Sequence, residues 1–372
     1  MNGGIMQIVV FSRGLFSLDM GACVTSSQIF ELGLARALAA HADVTVVSVG
    51  AVGRVVDEGV TLLPLAHART LAAGVNKALL GHAPLGSGKT FFIMFGYDPR
   101  TVAELKLLSM FYGAALVNYV FDTHVGATQH MPPLRRLAVN SYFRLGLRTL
   151  GVSNALLLLN ELASQQISSG RAPALVSRVG SPYGVPALPP PRPPRTPFRV
   201  TYAGSLETYN GIEPLLLAFQ ELPHRDIVLD VLGDGYLTGA VADAARADAR
   251  IRYHGRVGKA ETDAVVARSH LLVALRDLNH PVAQYSFPSK VVDYLASGIP
   301  VLTTPIVAKP DFASAVNLVQ SLDPHVIAGA IVDARAQPQA QDRKAALGLA
   351  YARKHHLWPD IAREIILFFD SL

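Results

Sequence analysis

The chain has one cysteine in 372 residues, Cys23, so no intrachain disulfide can form; this suits a reducing compartment, the cytoplasm. No stretch reaches the roughly 18 apolar residues that a membrane span requires. The runs at 114–117 and 155–159 are short and soon interrupted by polar residues. The N-terminus has no cationic segment ahead of an apolar one, so it reads as a first strand and not a signal peptide. Cysteine and histidine never fall at zinc spacing. The loop after the first apolar run lacks a Gly-x-Gly-x-x-Gly, which argues against a dinucleotide site there. Acid is also missing locally: none lies between Asp122 and Glu161.

What is present points to two α/β domains. Half the residues are hydrophobic, mean hydropathy is +0.30, and the length exceeds one typical core. The apolar run 5–11, a loop, a helix over 25–40 and a second run at 43–49 make a βαβ unit. Further strands are expected at 91–96, ending in Tyr97-Asp98-Pro99, and at 114–121, ending in Asp122-Thr123-His124. Ligands of open α/β sheets bind beyond the carboxyl ends of strands, so Asp98, Asp122 and His124 are candidates by position. A strand at 147–150 and a helix at 154–167 would close this half. Ala83-Pro-Leu-Gly-Ser-Gly-Lys-Thr90 imitates a phosphate-binding loop. The strand, however, follows it instead of preceding it, so it reads as a decoy.

The charge is uneven. Residues 1–180 hold 14 Lys and Arg against 9 Asp and Glu, which accounts for the net +5 of the chain. In the acid-free stretch Arg135, Arg136, Arg144 and Arg148 alternate with Leu134, Leu137, Tyr142, Phe143, Leu145 and Leu147. Basic and apolar residues without acid suit an anionic membrane surface or a phosphorylated lipid; a solvated helix face with buried leucines is the plainer alternative. Nucleic acid is disfavoured, because dense basic runs and stacking aromatics are absent.

Seven prolines between 186 and 197 mark a stiff connector. After it come a strand at 198–206 turning at Gly204-Ser205 and a helix over 210–219. A strand at 227–232 ends in Gly-Asp-Gly235, a strand at 251–257 reads Ile-Arg-Tyr-His-Gly-Arg-Val, a helix covers 261–269, and a strand covers 271–275. The segment Gln284-Tyr-Ser-Phe-Pro-Ser-Lys-Val-Val-Asp-Tyr-Leu-Ala-Ser-Gly-Ile-Pro-Val-Leu-Thr-Thr-Pro305 then reads as loop, short helix, tight turn and strand. Gly298 ends the helix and Pro300 prevents its continuation.

These signatures, in this order, resemble the group 1 (family 4) glycosyltransferases of the bacterial surface-polysaccharide type. The resemblance implies an α/β GT-B fold: two Rossmann-like domains facing a cleft, with a C-terminal helix crossing back to the first. The boundaries would be 1–185 for the acceptor domain, 186–197 for the linker, 198–355 for the donor domain and 356–372 for the returning helix. It implies transfer of a sugar from a UDP-, GDP- or dTDP-linked donor to a lipid-linked or polysaccharide acceptor, with retention. The enzyme would act in the cytoplasm, on the inner face of the membrane, and would need no cofactor. No Asp-x-Asp stands where a metal-dependent transferase would need one.

By the same resemblance His124 would contact the transferred sugar, with Asp122 nearby. Gly204 and Ser205, the backbone at Arg256 and Val257, and the loop Tyr285, Ser286 and Phe287 would line the donor site. Asp293 would accept from the ribose hydroxyls. The sequence departs from the family in three places. Ser205 and Asn210 stand where an Arg and a Lys clamp the diphosphate, and Tyr285 replaces the first acid of an acid-x7-acid pair. Lys290 and Arg276, with the helix N-terminus at Ser289, would take over the clamp. An epimerase on the same fold, or a non-catalytic binding protein with it, are the other readings; nucleotide binding and turnover separate them.

Overall fold

The computed structural model describes all residues except 1–4, 16, 20–24, 68–69, 83–84, 87, 121–127, 129–130, 160, 168–171, 182–183, 195 and 308. The chain divides into two compact units, Met1–Pro182 with Gln284–Phe287 and Trp358–Leu372, and Tyr183–Ala283 with Pro288–Leu357.

The first unit begins β1 (Gln7–Ser12), α1 (Ser26–Ala39), β2 (Asp43–Ser48), then a hairpin of β3 (Val55–Asp57) and β4 (Val60–Pro64). It continues with α2 (Leu71–His82), β5 (Thr90–Phe95), α3 (Pro99–Phe111) and β6 (Ala115–Val120). Next come α4 (Pro133–Thr149), β7 (Ala155–Leu158), α5 (Glu161–Ile167) and β8 (Ala174–Val176). The sheet order is β3-β4-β2-β1-β5-β6-β7-β8, parallel except for the β3–β4 pair. Helices on both faces explain why β1 and β5 read as unbroken apolar runs. Thr25 starts α1 with a reciprocal cap: its hydroxyl accepts from Gln28 N at 3.2 Å, while Thr25 N donates to Gln28 Oε1 at 3.1 Å.

One expectation fails here. Residues 147–149 are the last turn of α4, continued by a 3₁₀ turn at Leu150–Val152, and the strand falls at Ala155–Leu158. Phe143, Leu147 and Leu150 pack together against Tyr97, a spacing that fits a helix and not a strand. The helix expected over 154–167 shortens to α5 for the same reason.

The second unit runs β9 (Phe198–Ala203), α6 (Ile212–Glu221), β10 (Ile227–Leu232), α7 (Thr238–Ala247) and β11 (Ile251–Gly255). Then follow α8 (Lys259–Val266), β12 (Leu271–Ala274), α9 (Pro281–Tyr285), α10 (Lys290–Ala296) and β13 (Val301–Thr303). Residues beyond it, which carry no motif, form α11 (Pro310–Ala315), the short β14 (Asn317–Leu318), α12 (Pro324–Ala336) and α13 (Pro338–His355). The all-parallel order is β11-β10-β9-β12-β13-β14, so strand order reverses between β9 and β12. The proline-rich segment lies on this unit: Arg192 Nε donates to Asp342 Oδ1 at 3.0 Å, and the Arg353 guanidinium donates to the Pro186 carbonyl.

The last helix, α14 (Trp358–Asp370), crosses back into the first unit. Phe369 stacks on Phe91 with ring centroids 4.3 Å apart, and Trp358 meets Phe30 edge-on at 5.2 Å. The Arg178 guanidinium pairs with Glu364. The indole of Trp358 fills the space over Gly33 and Gly180; a Cβ there would fall 2.5 Å and 2.3 Å from its ring atoms. Two α/β units with a returning C-terminal helix are the GT-B architecture.

Candidate active site

The reversal of strand order between β9 and β12 is where an open parallel sheet leaves a crevice. The chain leaving β9 turns at Gly204, whose φ of +151° favours glycine. The turn after β10 comes so close that a Cβ on Gly233 would stand 2.0 Å from the Gly204 carbonyl oxygen. The second turn thus needs its glycine for space as well as for its φ of +123°. Gly204 N donates to Leu232 O at 3.0 Å and Gly233 N to Gly255 O at 2.8 Å, joining the ends of three strands.

Into this corner α10 brings Lys290. Its Nζ lies 3.9 Å from the centre of the Tyr202 ring, and a Cβ on Gly204 would sit 3.3 Å from it. The ammonium is shut off from solvent and has no hydrogen-bond partner among the described residues. Burial, helped by the charge of Arg276, pushes its pKa down to about 7. The helix is fixed by Tyr294, whose hydroxyl donates to Ala203 O at 2.9 Å and accepts from Ala203 N at 2.8 Å. Tyr202 donates to Ser205 O at 2.6 Å. An aromatic face and two backbone groups therefore hold the amine's surroundings in place.

Arg276 follows β12 and is buried. Its Nη1 donates to Asn210 Oδ1 at 3.0 Å, its guanidinium lies 4.8 Å from the Tyr209 ring centre, and its backbone is tied to Thr304. Asn210 in turn donates to the Ser205 carbonyl and hydroxyl at 3.0 and 2.9 Å. So the position that carries lysine in the resembled family here carries the acceptor that fastens an arginine. The cation paired with it comes from the loop just after β12 instead.

The remaining expected residues divide. Asp293 is exposed one turn after Lys290 and has no ion pair among the described residues. Ser289 precedes α10 without capping it, and the amides of Val291 and Val292 are engaged with Pro288 O and Ser289 O. Arg256 and Val257 follow β11, with Arg256 exposed and 3.7 Å from Asp234. Tyr285 closes α9, a short helix where a plain loop was expected; with Ser286 and Phe287 it belongs to the segment grouped with the first unit. Asp122 and His124 lie outside the described residues.

Two further sequence candidates have other roles. Asp98 caps α3, accepting from Thr101 N at 2.8 Å, from the Thr101 hydroxyl at 2.6 Å and from the Tyr142 hydroxyl, with Arg13 at 3.3 Å. The phosphate-loop look-alike is followed by β5, and its groups are spoken for: Gly86 N donates to Gln7 Oε1 at 2.6 Å and Lys89 Nζ to Asp370 O at 3.1 Å. Tyr202 and Tyr294 were not foreseen as site residues. They sit in apolar runs, and nothing in the pattern separates them from core.

Two such α/β units with a returning C-terminal helix are a GT-B fold, and the second unit carries two buried cations at its switch point. Residues 197–336 match the model of the family described as "Glycosyl transferases group 1". Over that segment, less than half of the chain, the sequence is similar to that family, and the chain as a whole has the GT-B fold. No curated protein matches the sequence. Among solved structures, Anabaena HepE in complex with UDP superposes with a TM-score of 0.66 at 13% identity, covering 98% of this chain and 100% of that one. Sucrose-phosphate synthase from Thermosynechococcus elongatus gives 0.71 at 14%, covering 98% of each. WaaG, a glycosyltransferase involved in lipopolysaccharide biosynthesis, gives 0.63 at 16%, covering 97% of this chain and 99% of that one. At these identities the likeness is one of fold.

Proposed function

We propose that the chain transfers a sugar, with retention, from a UDP-, GDP- or dTDP-linked donor to a lipid-linked or polysaccharide acceptor at the cytoplasmic face of a membrane. The observation that carries the donor half is Lys290: a buried ammonium without a hydrogen-bond partner among the described residues, beside a second buried cation, at the switch point of the C-terminal sheet. A lone buried charge is costly unless something pairs with it, and a diphosphate supplies the missing oxygens. As the bond between the sugar's C1 and the phosphate oxygen breaks, charge builds on the leaving diphosphate. Lys290, with Arg276 behind it, stabilises that charge more than the ground state, which is what accelerates the step. The acceptor oxygen bonds to C1, and its hydroxyl proton passes to the oxygen of the leaving diphosphate. Asp293 holds the ribose hydroxyls. His124 and Asp122 act on the sugar side, as the resemblance implies.

Several solved relatives bear on the donor: HepE has been crystallised with UDP and with UDP-glucose. Calorimetry of this chain against UDP-, GDP- and dTDP-sugars, with nucleotide release followed in parallel, tests the reading. Micromolar binding of one donor class and acceptor-dependent release are expected. No binding of any nucleotide would overturn the proposal. Binding without release on any acceptor would point to a scaffold, and interconversion of the sugar itself to an epimerase.

A further inference from the structure

Helix α4 has two apolar sides, and only one is packed. Gly146 is its one buried residue; a Cβ there would lie 2.3 Å from the Tyr97 carbonyl oxygen. Phe143 meets the Tyr97 ring edge-on at 5.9 Å, and Leu147 joins the same cluster. At about 100° per residue, Leu134, Leu137, Ala138, Ser141 and Leu145 fall in an arc of roughly 100° on the opposite side. That second stripe faces water: Leu134 is 84% exposed, Leu137 63% and Leu145 52%. Arg144 and Arg148 run along one edge of it and Arg135 along the other, with Arg136 in the same first turns. All four arginines are exposed, and none forms an ion pair among the described residues. The whole interval 123–160 contains no acid to neutralise them.

A leucine stripe turned away from the core and flanked by unpaired arginines is the pattern of a helix lying in a membrane interface. There the leucines enter the acyl boundary and the guanidinia meet phosphate headgroups. A protein partner would have to be acidic and apolar together, whereas an anionic bilayer offers both properties over any area. We infer that the outer stripe of α4, centred on Leu134, Leu137 and Leu145 with Arg135, Arg144 and Arg148, docks the enzyme on an anionic lipid surface. This deepens the reading of a lipid-linked acceptor but stands on the exposure of the helix itself. No helix among the described residues is long and apolar enough to cross a membrane, so attachment would be by this face.

The test is co-sedimentation of the full chain, without nucleotide, with vesicles of phosphatidylcholine alone and of phosphatidylcholine mixed with phosphatidylglycerol. Binding to the anionic vesicles, weakening as salt is added, is expected. Arg135→Glu with Arg144→Glu should weaken it by about 30-fold or more. Leu134→Ser with Leu137→Ser should weaken it by roughly tenfold or more. These side chains touch little else, so both variants should keep their melting temperature and their donor affinity. Phe111→Ser, at another exposed apolar cluster on α3, should bind vesicles like the parent. Equal binding to neutral vesicles, no binding at all, or loss through Phe111→Ser with none through the α4 variants would overturn the inference. So would a concentration-dependent dimer that Leu134→Ser with Leu137→Ser abolishes, since a second copy would then be the occupant. A chain that binds anionic vesicles but no nucleotide would leave this inference standing and remove the transferase reading.

Discussion

Replacing Lys290 by methionine should move affinity and stability in opposite directions. In the free protein the amine is buried against Tyr202 and Gly204 with no hydrogen-bond partner among the described residues, and its pKa drops from 10.5 to about 7. Methionine keeps the stem and removes the charge, so the ligand-free variant should melt no lower than the parent. Donor binding should suffer, because a hydrogen bond to a charged group contributes about 1.5–3 kcal/mol, or roughly 10- to 150-fold in Kd. The pH dependence follows from the same pKa. Since an anion favours the protonated amine, parent affinity should fall about tenfold per pH unit above about 7, until the amine's pKa in the complex is reached. For stability the sign is reversed: the unfolded chain binds the extra proton between about 7 and 10.5, so the free protein gains stability as pH rises through that window. The variant should lose both slopes. Titration calorimetry and thermal melts across this range read all four quantities. A variant that melts several degrees lower while binding donor as well as the parent at every pH would refute the reasoning and make Lys290 a structural residue.

Asp293→Asn should weaken nucleotide-sugar binding by about tenfold or more through lost ribose contacts, while melting temperature stays put because the side chain is exposed. Asn210→Leu removes the acceptor that holds Arg276 and the donor to Ser205, so about 1–3 kcal/mol of stability in denaturant melts and part of the donor affinity should go together. Gly180→Ala forces a methyl into the Trp358 indole and should cost about 1–3 kcal/mol, read from the same melts. Glu31 is buried beneath the hydroxyls of Ser12 and Ser27, and burial raises its pKa above 4.5 despite their hydrogen bonds. The folded chain therefore keeps this proton longer than the unfolded one and loses stability as pH climbs through that interval; Glu31→Gln should flatten the slope in melts from acid to neutral pH.

Much of the architecture could be read from residue order because buried parallel strands announce themselves. The run Ile227–Leu232 is a strand with both ends as expected, and the Gly turns after β9, β10 and β11 fall where their glycines require. The failures share a cause. Leucine-rich stretches such as 145–159 carry apolar residues at every spacing, and the packing of Phe143 and Leu147 on Tyr97, not local pattern, decides where helix gives way to strand. Helices α12 and α13 carry no motif and were silent. In the site, Lys290 was legible from its neighbours in sequence. What surrounds it was not, because Tyr202, Tyr294 and Asn210 set its surroundings through contacts about 90 residues apart, or through an arginine just after β12. The substitution at Asn210 looked like a lost clamp in one dimension, whereas in three it is the support for Arg276.

The slot that Gly33 and Gly180 keep open for Trp358 has a consequence for how the chain is made. The N-terminal unit emerges first from the ribosome with this slot, Phe91 and Arg178 waiting, and their partners arrive more than 170 residues after Gly180. During that interval its apolar groove is open to whatever else can fill it, such as a chaperone or another nascent chain. The first unit is therefore packed in full only once α14 has been made. A chain truncated before Trp358 would carry all the residues of the donor corner yet leave the first unit unfinished and exposed to proteolysis.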